Sequence, residues 1–247
     1  MKGVAVTVDV ISAAIRFGAS LAGVCPVDDL RCSPSHVLRF DSSSREEEGR
    51  WPEHARSVIV LALVHPEDKP ELDWWIKESG TGNTPGNEEL IRIASRLARW
   101  IREETGHACF PIPYHLERGG LFMKDAAVLA GMGRIGRNNL LVTPEYGPRV
   151  RLRLLLTAVD LPATRGTAFD PCAGCSMPCR TACPQQAFSG EPTEPNAGYN
   201  VTRCSIQMDR DRAHAELLPV PGRSGSGRRI KYCRRCELAC PVGKESL

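Results

Sequence analysis

The stretch CAGCSMPCRTACP, from Cys172 to Pro184, places four cysteines in the order C-x2-C-x3-C-x3-C and follows the last one directly with proline. A second stretch, CRRCELACP from Cys233 to Pro241, repeats this order with three cysteines and again ends in proline. Cys204 lies between the two motifs. Such spacing lets the thiolates of one tight loop bind one metal cluster, while the cysteine before proline reaches a second cluster.

The two motifs predict two [4Fe–4S] clusters whose ligands cross between the motifs. The first cluster is expected to take Cys172, Cys175, Cys179 and Cys240. The second cluster is expected to take Cys183, Cys204, Cys233 and Cys236. Both motifs have three residues between their second and third cysteines where bacterial ferredoxins have two, which relaxes the loop without removing a ligand.

The alternative is that the same thiolates bind two structural zinc ions. Zinc sites do not require Cys-Pro at the motif ends or a fourth cysteine in each set, so the pattern favours iron–sulfur clusters. A secreted disulfide scaffold would need an export signal. Met1–Cys25 is too polar for a signal-peptide core, and no long apolar run follows it. We therefore expect a cytoplasmic protein with no membrane span.

Helical and strand patterns alternate in the first part of the chain, which predicts an α/β or α+β domain. Asn87–Glu104 carries apolar residues at helical spacing, with Asn87 as the expected N-cap. Ser57–Val64 is a continuous apolar run that suits a central strand. Val150–Ala158 alternates apolar residues with Arg151 and Arg153, which predicts a half-exposed strand with a basic outer face.

Regular periodicity disappears from Pro162 onward, where glycine, proline and cysteine dominate. We therefore expect one α/β domain over residues 1–165 and a smaller, ferredoxin-like double-cluster domain over residues 166–247. The three cysteines outside the motifs have no ligand spacing and are predicted to be buried as small apolar residues. They are Cys25, Cys32 and Cys109.

Gly131–Gly136 matches the dinucleotide-binding pattern G-x-G-x-x-G, but a helical stretch precedes it and a strand-like segment follows it. A dinucleotide site requires the reverse order. The glycines instead suit the close approach of a large flat cofactor or of another backbone segment. Tyr114 and Glu117 belong to a dense polar patch beside glycines, which predicts an active-site loop. A surface turn with incidental charges is the alternative.

The formal net charge of +3 does not indicate a nucleic-acid partner, because each oxidised [4Fe–4S] cluster with four thiolates adds about −2. Basic residues surround the second motif: Arg223, Arg228, Arg229, Lys231, Arg234 and Arg235. They predict a docking face for an anionic electron donor or a field that raises the cluster potential. The alternative is a solvated loop that offsets cluster charge. No aromatic stacking platform for nucleic-acid bases accompanies them.

Taken together, these stretches resemble the epoxyqueuosine reductase family, to which the reductive dehalogenases are similar. The resemblance rests on Gly131–Asn138, Tyr146-Gly147 and the cysteine motifs with their isolated Cys204. Gly18–Val24 and Ser57–Val64 also look like that family.

This resemblance implies a nitroreductase-like first domain that binds a corrinoid (cobalamin). The clusters would pass it low-potential electrons from a ferredoxin or flavodoxin. The glycine loop would bind the cofactor, through Gly131, Gly133, Gly136 and Asn138. The family's acidic proton donor falls by position on Glu117, a glutamate where the family has aspartate, with Tyr114 nearby.

The resemblance also implies a small-molecule or nucleoside-like substrate. The family segment that handles the nucleoside has no recognisable counterpart, and the chain ends soon after Cys240. We therefore expect tRNA to be a possible substrate but not the favoured one. A homodimer is compatible with a nitroreductase-like fold. The alternative to an enzyme is a non-catalytic electron-transfer or corrinoid-reducing partner protein.

Overall fold

The computed structural model describes residues 2–33, 35, 51–78, 81–115, 121–166, 168–188, 199–219 and 226–245. It has a mixed α/β architecture in two units that interleave along the chain. Unit 1 comprises Met1–Leu63, Leu90–Arg134 and Arg151–Phe169. Unit 2 comprises Val64–Glu89, Ile135–Val150 and Asp170–Leu247. The division expected after residue 165 stays a prediction, because a single boundary does not describe interleaved units.

In chain order the helices are α1 (Lys2–Arg16), α2 (Val27–Arg31), α3 (Pro85–Thr105), α4 (Met123–Leu129), α5 (Pro178–Thr181), α6 (Val201–Ala213) and α7 (Arg235–Leu238), with a 3-10 helix at Pro70–Asp73. The strands are β1 (Leu21–Pro26), β2 (Ser57–Val64), β3 (Trp74–Lys77), β4 (Cys109–Pro111), β5 (Arg134–Ile135), β6 (Leu141–Val142), β7 (Val150–Thr157), β8 (Glu216–Pro219) and β9 (Ser226–Lys231). None of the described helices has the length and hydropathy that a membrane crossing requires.

The core of unit 1 forms between α1, α3 and a four-stranded sheet of order β1-β2-β7-β4. The predicted apolar stripe of α3 is buried, from Leu90 and Ile93 to Leu97 and Ile101. β2 is an interior strand, antiparallel to β1, which explains why its sequence is apolar throughout. These two predictions are confirmed.

Strand β7 corrects the prediction of a half-exposed strand, because nearly all of it is buried. It lies between β2 and β4, and β4 pairs with its last three residues, Leu155 to Thr157. Arg153 is buried there and donates from Nη1 to the carbonyl oxygen of Ile112 at 3.3 Å. The alternation of apolar residues with arginines did not indicate exposure here. An arginine can pack its aliphatic stem against apolar neighbours while its guanidinium donates a hydrogen bond to a carbonyl oxygen.

Unit 2 forms helices and strands after Pro162 although its sequence there lacks regular periodicity. Asn200 caps α6, accepting a hydrogen bond from the Arg203 N–H at 3.0 Å. Strands β3, β9 and β8 form an antiparallel sheet. The Arg229 guanidinium and the Lys231 ammonium lie over the Trp74 ring, 4.4 and 5.1 Å from its centroid.

Candidate metal centre

Four of the predicted ligands line one pocket in unit 2. They are Cys172, Cys175, Cys179 and Cys240. The pocket contains about 300 Å³ of space, including what is open to solvent, and its wall is completed by prolines, Met177, Val142 and the Arg137-Asn138 loop. Three of these cysteines come from the first motif and the fourth ends the second motif. The structure therefore brings together the first set that the crossing rule names.

The pocket is apolar, and thiolates formed in it would repel one another. Burial raises the pKa of Cys179 to about 11, and the nearby Cys240, Cys172 and Cys175 add to the rise. Burial also raises the pKa of Cys240, although the Val242 N–H and the Arg149 charge oppose the change. Thiolates in such a group need a cationic partner, which the iron atoms of a cluster supply.

The loop after the glycine stretch contacts both cysteine motifs. The Arg137 N–H points at the Cys172 sulfur, at an N–Sγ distance of 3.4 Å. Asn138 is buried and donates from Nδ2 to the Cys236 carbonyl oxygen at 3.3 Å. A Cβ at Gly136 would come within 2.8 Å of Val142 Cγ2, so only glycine lets the loop pack this closely. N–H···S contacts of this kind tune cluster potentials.

Arg149 holds the turn that follows the last ligand. Its side chain is 1% exposed, and its guanidinium donates to the carbonyl oxygens of Cys240 and Val242, the latter at 2.8 Å. A third contact reaches the Tyr146 carbonyl oxygen at 3.4 Å. Burial lowers the pKa of this guanidinium, while Cys240 and Glu237 oppose that shift. Arg149 thereby fixes where Cys240 stands relative to the pocket.

The second predicted set also gathers in unit 2. Burial raises the pKa of Cys236 to about 12, and the charges of Cys233, Cys183 and Cys204 contribute further. Tyr199 lies against the same group, since burial and a hydrogen bond to Cys204 raise the pKa of its phenol. Cys233 is exposed, whereas Cys179 and Cys240 of the first set are buried. The second site is therefore the one nearer to solvent.

Asp211 connects α6 to the second motif. One of its carboxylate oxygens, Oδ2, accepts a hydrogen bond from the Cys233 N–H at 2.8 Å. The other, Oδ1, accepts one from Gln207 Nε2 at 2.8 Å. Because α6 also carries Cys204, this bond holds two predicted ligands in a fixed relation.

A largely buried network of ion pairs connects the second motif to the segment from His65 to Asp73. Arg234, inside the C-x2-C loop, pairs with Asp73 (Nη1–Oδ2, 2.9 Å) and with Glu237 (Nη2–Oε1, 2.6 Å). It also donates to the carbonyl oxygen of His65. The imidazole of His65 is fully buried, with Nδ1 2.9 Å from Asp73 Oδ1 in the geometry of an ion pair rather than an aligned hydrogen bond.

Replacing Asp73 by asparagine is expected to lower the free energy of unfolding by roughly 2 kcal/mol, because the Arg234 charge would lose a buried counter-ion. Denaturant unfolding of the anaerobic protein measures this loss. Asp68→Asn, which removes an exposed carboxylate from the neighbouring loop, is the matched control. Equal stability of the two variants would show that the Asp73 network does not brace the motif.

Among the described residues, no three histidine, cysteine, aspartate or glutamate side chains lie close enough together to hold a single metal ion. A [4Fe–4S] cluster differs from a single ion because each of its four thiolates binds a separate iron atom. A cluster site is therefore recognised by four cysteines that line one pocket or interact electrostatically.

One of the two predicted catalytic residues, Tyr114, lies in unit 1. Glu117 lies outside the described residues, as does Arg223. Tyr114 is 57% exposed and packs edge-on against His115, with ring centroids 5.3 Å apart.

Gly131 has a φ of +70°, and its backbone passes so close to Gly166 that a Cβ would come within 2.1 Å of the Gly166 nitrogen. Gly131 thus serves a close backbone approach.

Sequence reasoning missed several residues that position the predicted ligands: Arg149, Asp73, His65, Asp211 and Tyr199. Their contacts join positions far apart in the chain, such as Arg149 with Cys240. No spacing pattern encodes such contacts. The one available signal was Arg149 itself, a charged residue next to an otherwise apolar strand.

Comparison with known proteins places the chain in a family. No protein-family profile matches it. The epoxyqueuosine reductase of a Synechococcus species is 31% identical over 251 residues, covering 92% of this chain and 72% of that protein. The chain belongs to the epoxyqueuosine reductase family. The tetrachloroethene reductive dehalogenase of Desulfitobacterium hafniense is 40% identical over 148 residues, which cover 57% of this chain and 26% of the dehalogenase.

The fold agrees with this family. A crystal structure of epoxyqueuosine reductase with an epoxyqueuosine-modified tRNA stem loop has a TM-score of 0.67 at 18% identity, covering 98% of this chain and 66% of that one. The chain spans about half the length of other curated epoxyqueuosine reductases, 53% for Lactococcus garvieae and 48% for Bacillus subtilis. What those whole proteins do is therefore a proposal for this chain.

Proposed function

We propose that this protein is an iron–sulfur oxidoreductase resembling epoxyqueuosine reductase, in which two [4Fe–4S] clusters deliver low-potential electrons to a corrinoid and a substrate. The observation that carries the proposal is the pocket lined by Cys172, Cys175, Cys179 and Cys240. Four thiolates from two separate motifs are the ligand set of one [4Fe–4S] cluster. Membership of a reductase family supports the same chemistry.

The residues of the first pocket fit an anionic cluster. Besides its four cysteines, the pocket has Arg137 in its wall, and Arg137 Nη1 is buried with no hydrogen-bond partner among the described residues. A cluster of about −2 charge would give this guanidinium a counter-ion. When bound, the clusters supply single electrons at low potential. The chain's own contribution is to fix the ligands, through Arg149 at Cys240 and Asn138 at Cys236.

Support for a corrinoid comes from relatives. A reductive dehalogenase whose structure suggests a mechanism for B12-dependent dehalogenation shares the fold, with a TM-score of 0.63 at 17% identity. Asn138 contacts the second cysteine motif, and corrinoid binding by the glycine loop, through Gly131, Gly133, Gly136 and Asn138, stays a proposal. In this proposal residues 1–165 hold the corrinoid and substrate in a nitroreductase-like domain, and residues 166–247 hold the clusters.

The remaining roles follow from the same proposal. Tyr114 and Glu117 supply a proton to the reduced substrate, which is a small or nucleoside-like molecule. A ferredoxin or flavodoxin donates the electrons in the cytoplasm, and the protein forms a homodimer. A structural relative binds an epoxyqueuosine-modified tRNA stem loop, which makes the same modified nucleoside the first substrate to test.

Adding cobalamin to the anaerobically purified, reduced protein is expected to change the cobalamin absorption spectrum, saturating near one equivalent. Single-turnover reduction of the epoxyqueuosine nucleoside should follow, and Glu117→Gln with Tyr114→Phe should slow it at least about 100-fold, as loss of general acid catalysis does. Full cluster iron without any spectral change would exclude the corrinoid. Turnover unaffected by the two substitutions would favour the electron-carrier alternative.

A further inference from the structure

Arg137 is a half-buried residue whose guanidinium has one buried nitrogen, Nη1. Among the described residues its Nη1 has no hydrogen-bond acceptor, and the side chain lines the pocket of Cys172, Cys175, Cys179 and Cys240. Leaving a buried charged group unpaired is costly, so a negative group is expected to face it. Three carboxylates of unit 2 are paired elsewhere: Asp73 and Glu237 with Arg234, and Glu216 with Arg229 and Lys231. The Oδ1 atom of Asp170 accepts a hydrogen bond from the Cys172 N–H at 3.1 Å.

We propose that Arg137 is a positioning residue that raises the reduction potential of the first cluster above that of the second, so that electrons entering the chain collect in the first. This inference rests on the proposed function. A fixed positive charge stabilises the reduced cluster more than the oxidised one, because reduction adds one negative charge beside it. The Arg137 N–H adds a second stabilising contact, to the Cys172 sulfur at 3.4 Å.

The second site has a different charge environment. On its motif, Arg234 is paired with Asp73 and Glu237. The Arg235 charge acts on the exposed Cys233, where the Asp211 charge opposes it. Solvent exposure favours electron entry there. Asn138 follows Arg137 directly and contacts Cys236, so one loop reaches both sites. Each transfer moves one electron. The second cluster goes from its reduced to its oxidised state, and the first cluster goes from its oxidised to its reduced state.

A redox titration of the anaerobic holoprotein, followed by electron paramagnetic resonance, tests the proposal. Arg137→Met is expected to shift the reduced-to-oxidised ratio of the first cluster at a given potential at least about tenfold toward oxidised, which corresponds to a potential about 59 mV lower. The second cluster serves as an internal control and should shift less. Arg134→Met removes an exposed arginine three residues earlier and should leave both potentials unchanged.

Arg137→Lys keeps the positive charge, so the potential of its first cluster should stay close to that of the unmodified protein. This result separates an electrostatic role of Arg137 from a packing role. Unchanged potential of the first cluster in Arg137→Met would overturn the inference, as would equal shifts in Met and Lys variants. If Arg137→Met fails to assemble the first cluster, the unmodified protein still tests the inference, because a first-cluster potential at or below that of the second cluster would overturn it. Absence of cluster iron in the unmodified chain would instead overturn the proposed function itself, before any potential is measured.

Discussion

Replacing Cys179 and Cys183 together by serine is expected to abolish both iron–sulfur sites, although the two residues lie in one motif. In the crossed arrangement Cys179 belongs to the first set and Cys183 to the second, so each substitution removes a ligand from a different cluster. Iron should fall from about eight atoms per chain to near zero. Anaerobic iron analysis with electron paramagnetic resonance measures the loss.

A second double variant, with both substitutions in the same predicted ligand set, is the control for this result. Cys179→Ser with Cys240→Ser changes two residues from different motifs that line the same pocket, so about four iron atoms should remain. Cys32→Ser changes an exposed cysteine outside the motifs and should leave all the iron in place. If each motif instead bound its own cluster, the two double variants would exchange their outcomes.

Replacing Arg149 by methionine is expected to lower the free energy of unfolding by about 3 kcal/mol or more. The carbonyl oxygens of Cys240 and Val242 would lose a charged donor in a buried place, and such bonds contribute about 1.5–3 kcal/mol each. Because Cys240 would then be held less firmly, the first cluster should also lose iron to a chelator faster than the second. Denaturant unfolding and chelation kinetics measure the two effects.

Arg149→Lys should show an intermediate loss, since an ammonium keeps the charge but cannot reach both carbonyls in the planar geometry of a guanidinium. Arg99→Met, at an exposed position of α3, is the control for removing an arginine. Identical stability of the Arg149 and Arg99 variants would contradict a role for Arg149 in holding the turn after Cys240.

Strong local patterns made part of the fold predictable. Ser57–Val64 is apolar at every position but one, and only an interior strand suits such a run. The start of α3 was less visible: the helix begins at Pro85 rather than at Asn87, and Thr84 accepts the hydrogen bond from the Asn87 N–H at 3.2 Å. Proline in the first turn was the overlooked signal.

Elements held by tertiary contacts escaped prediction. Helix α6 has a weak apolar stripe, and its position depends on Asn200 at its start and on Asp211 bonding to the second motif. Cys25 and Cys109 are buried as expected, whereas Cys32 is exposed just after α2 ends. A single cysteine carries no local signal of its burial.

The candidate site was predictable where cysteine spacing sets it and not beyond. The crossing rule named the four cysteines that share a pocket, because proline after Cys183 and Cys240 is a local feature. Arg149 and Asp73 meet the motifs only in the folded chain, so no spacing could reveal them. Glu117 and Tyr114 remain predictions made from local sequence and family resemblance.

The central claim is that the eight motif cysteines hold two [4Fe–4S] clusters. The most direct measurement is Mössbauer spectroscopy of the anaerobically reconstituted, ⁵⁷Fe-labelled protein, with metal analysis of the same sample. We expect about eight iron atoms per chain, all with the spectral signature of [4Fe–4S] centres. About two tightly bound zinc ions per chain, with no cluster iron after reconstitution, would contradict the claim.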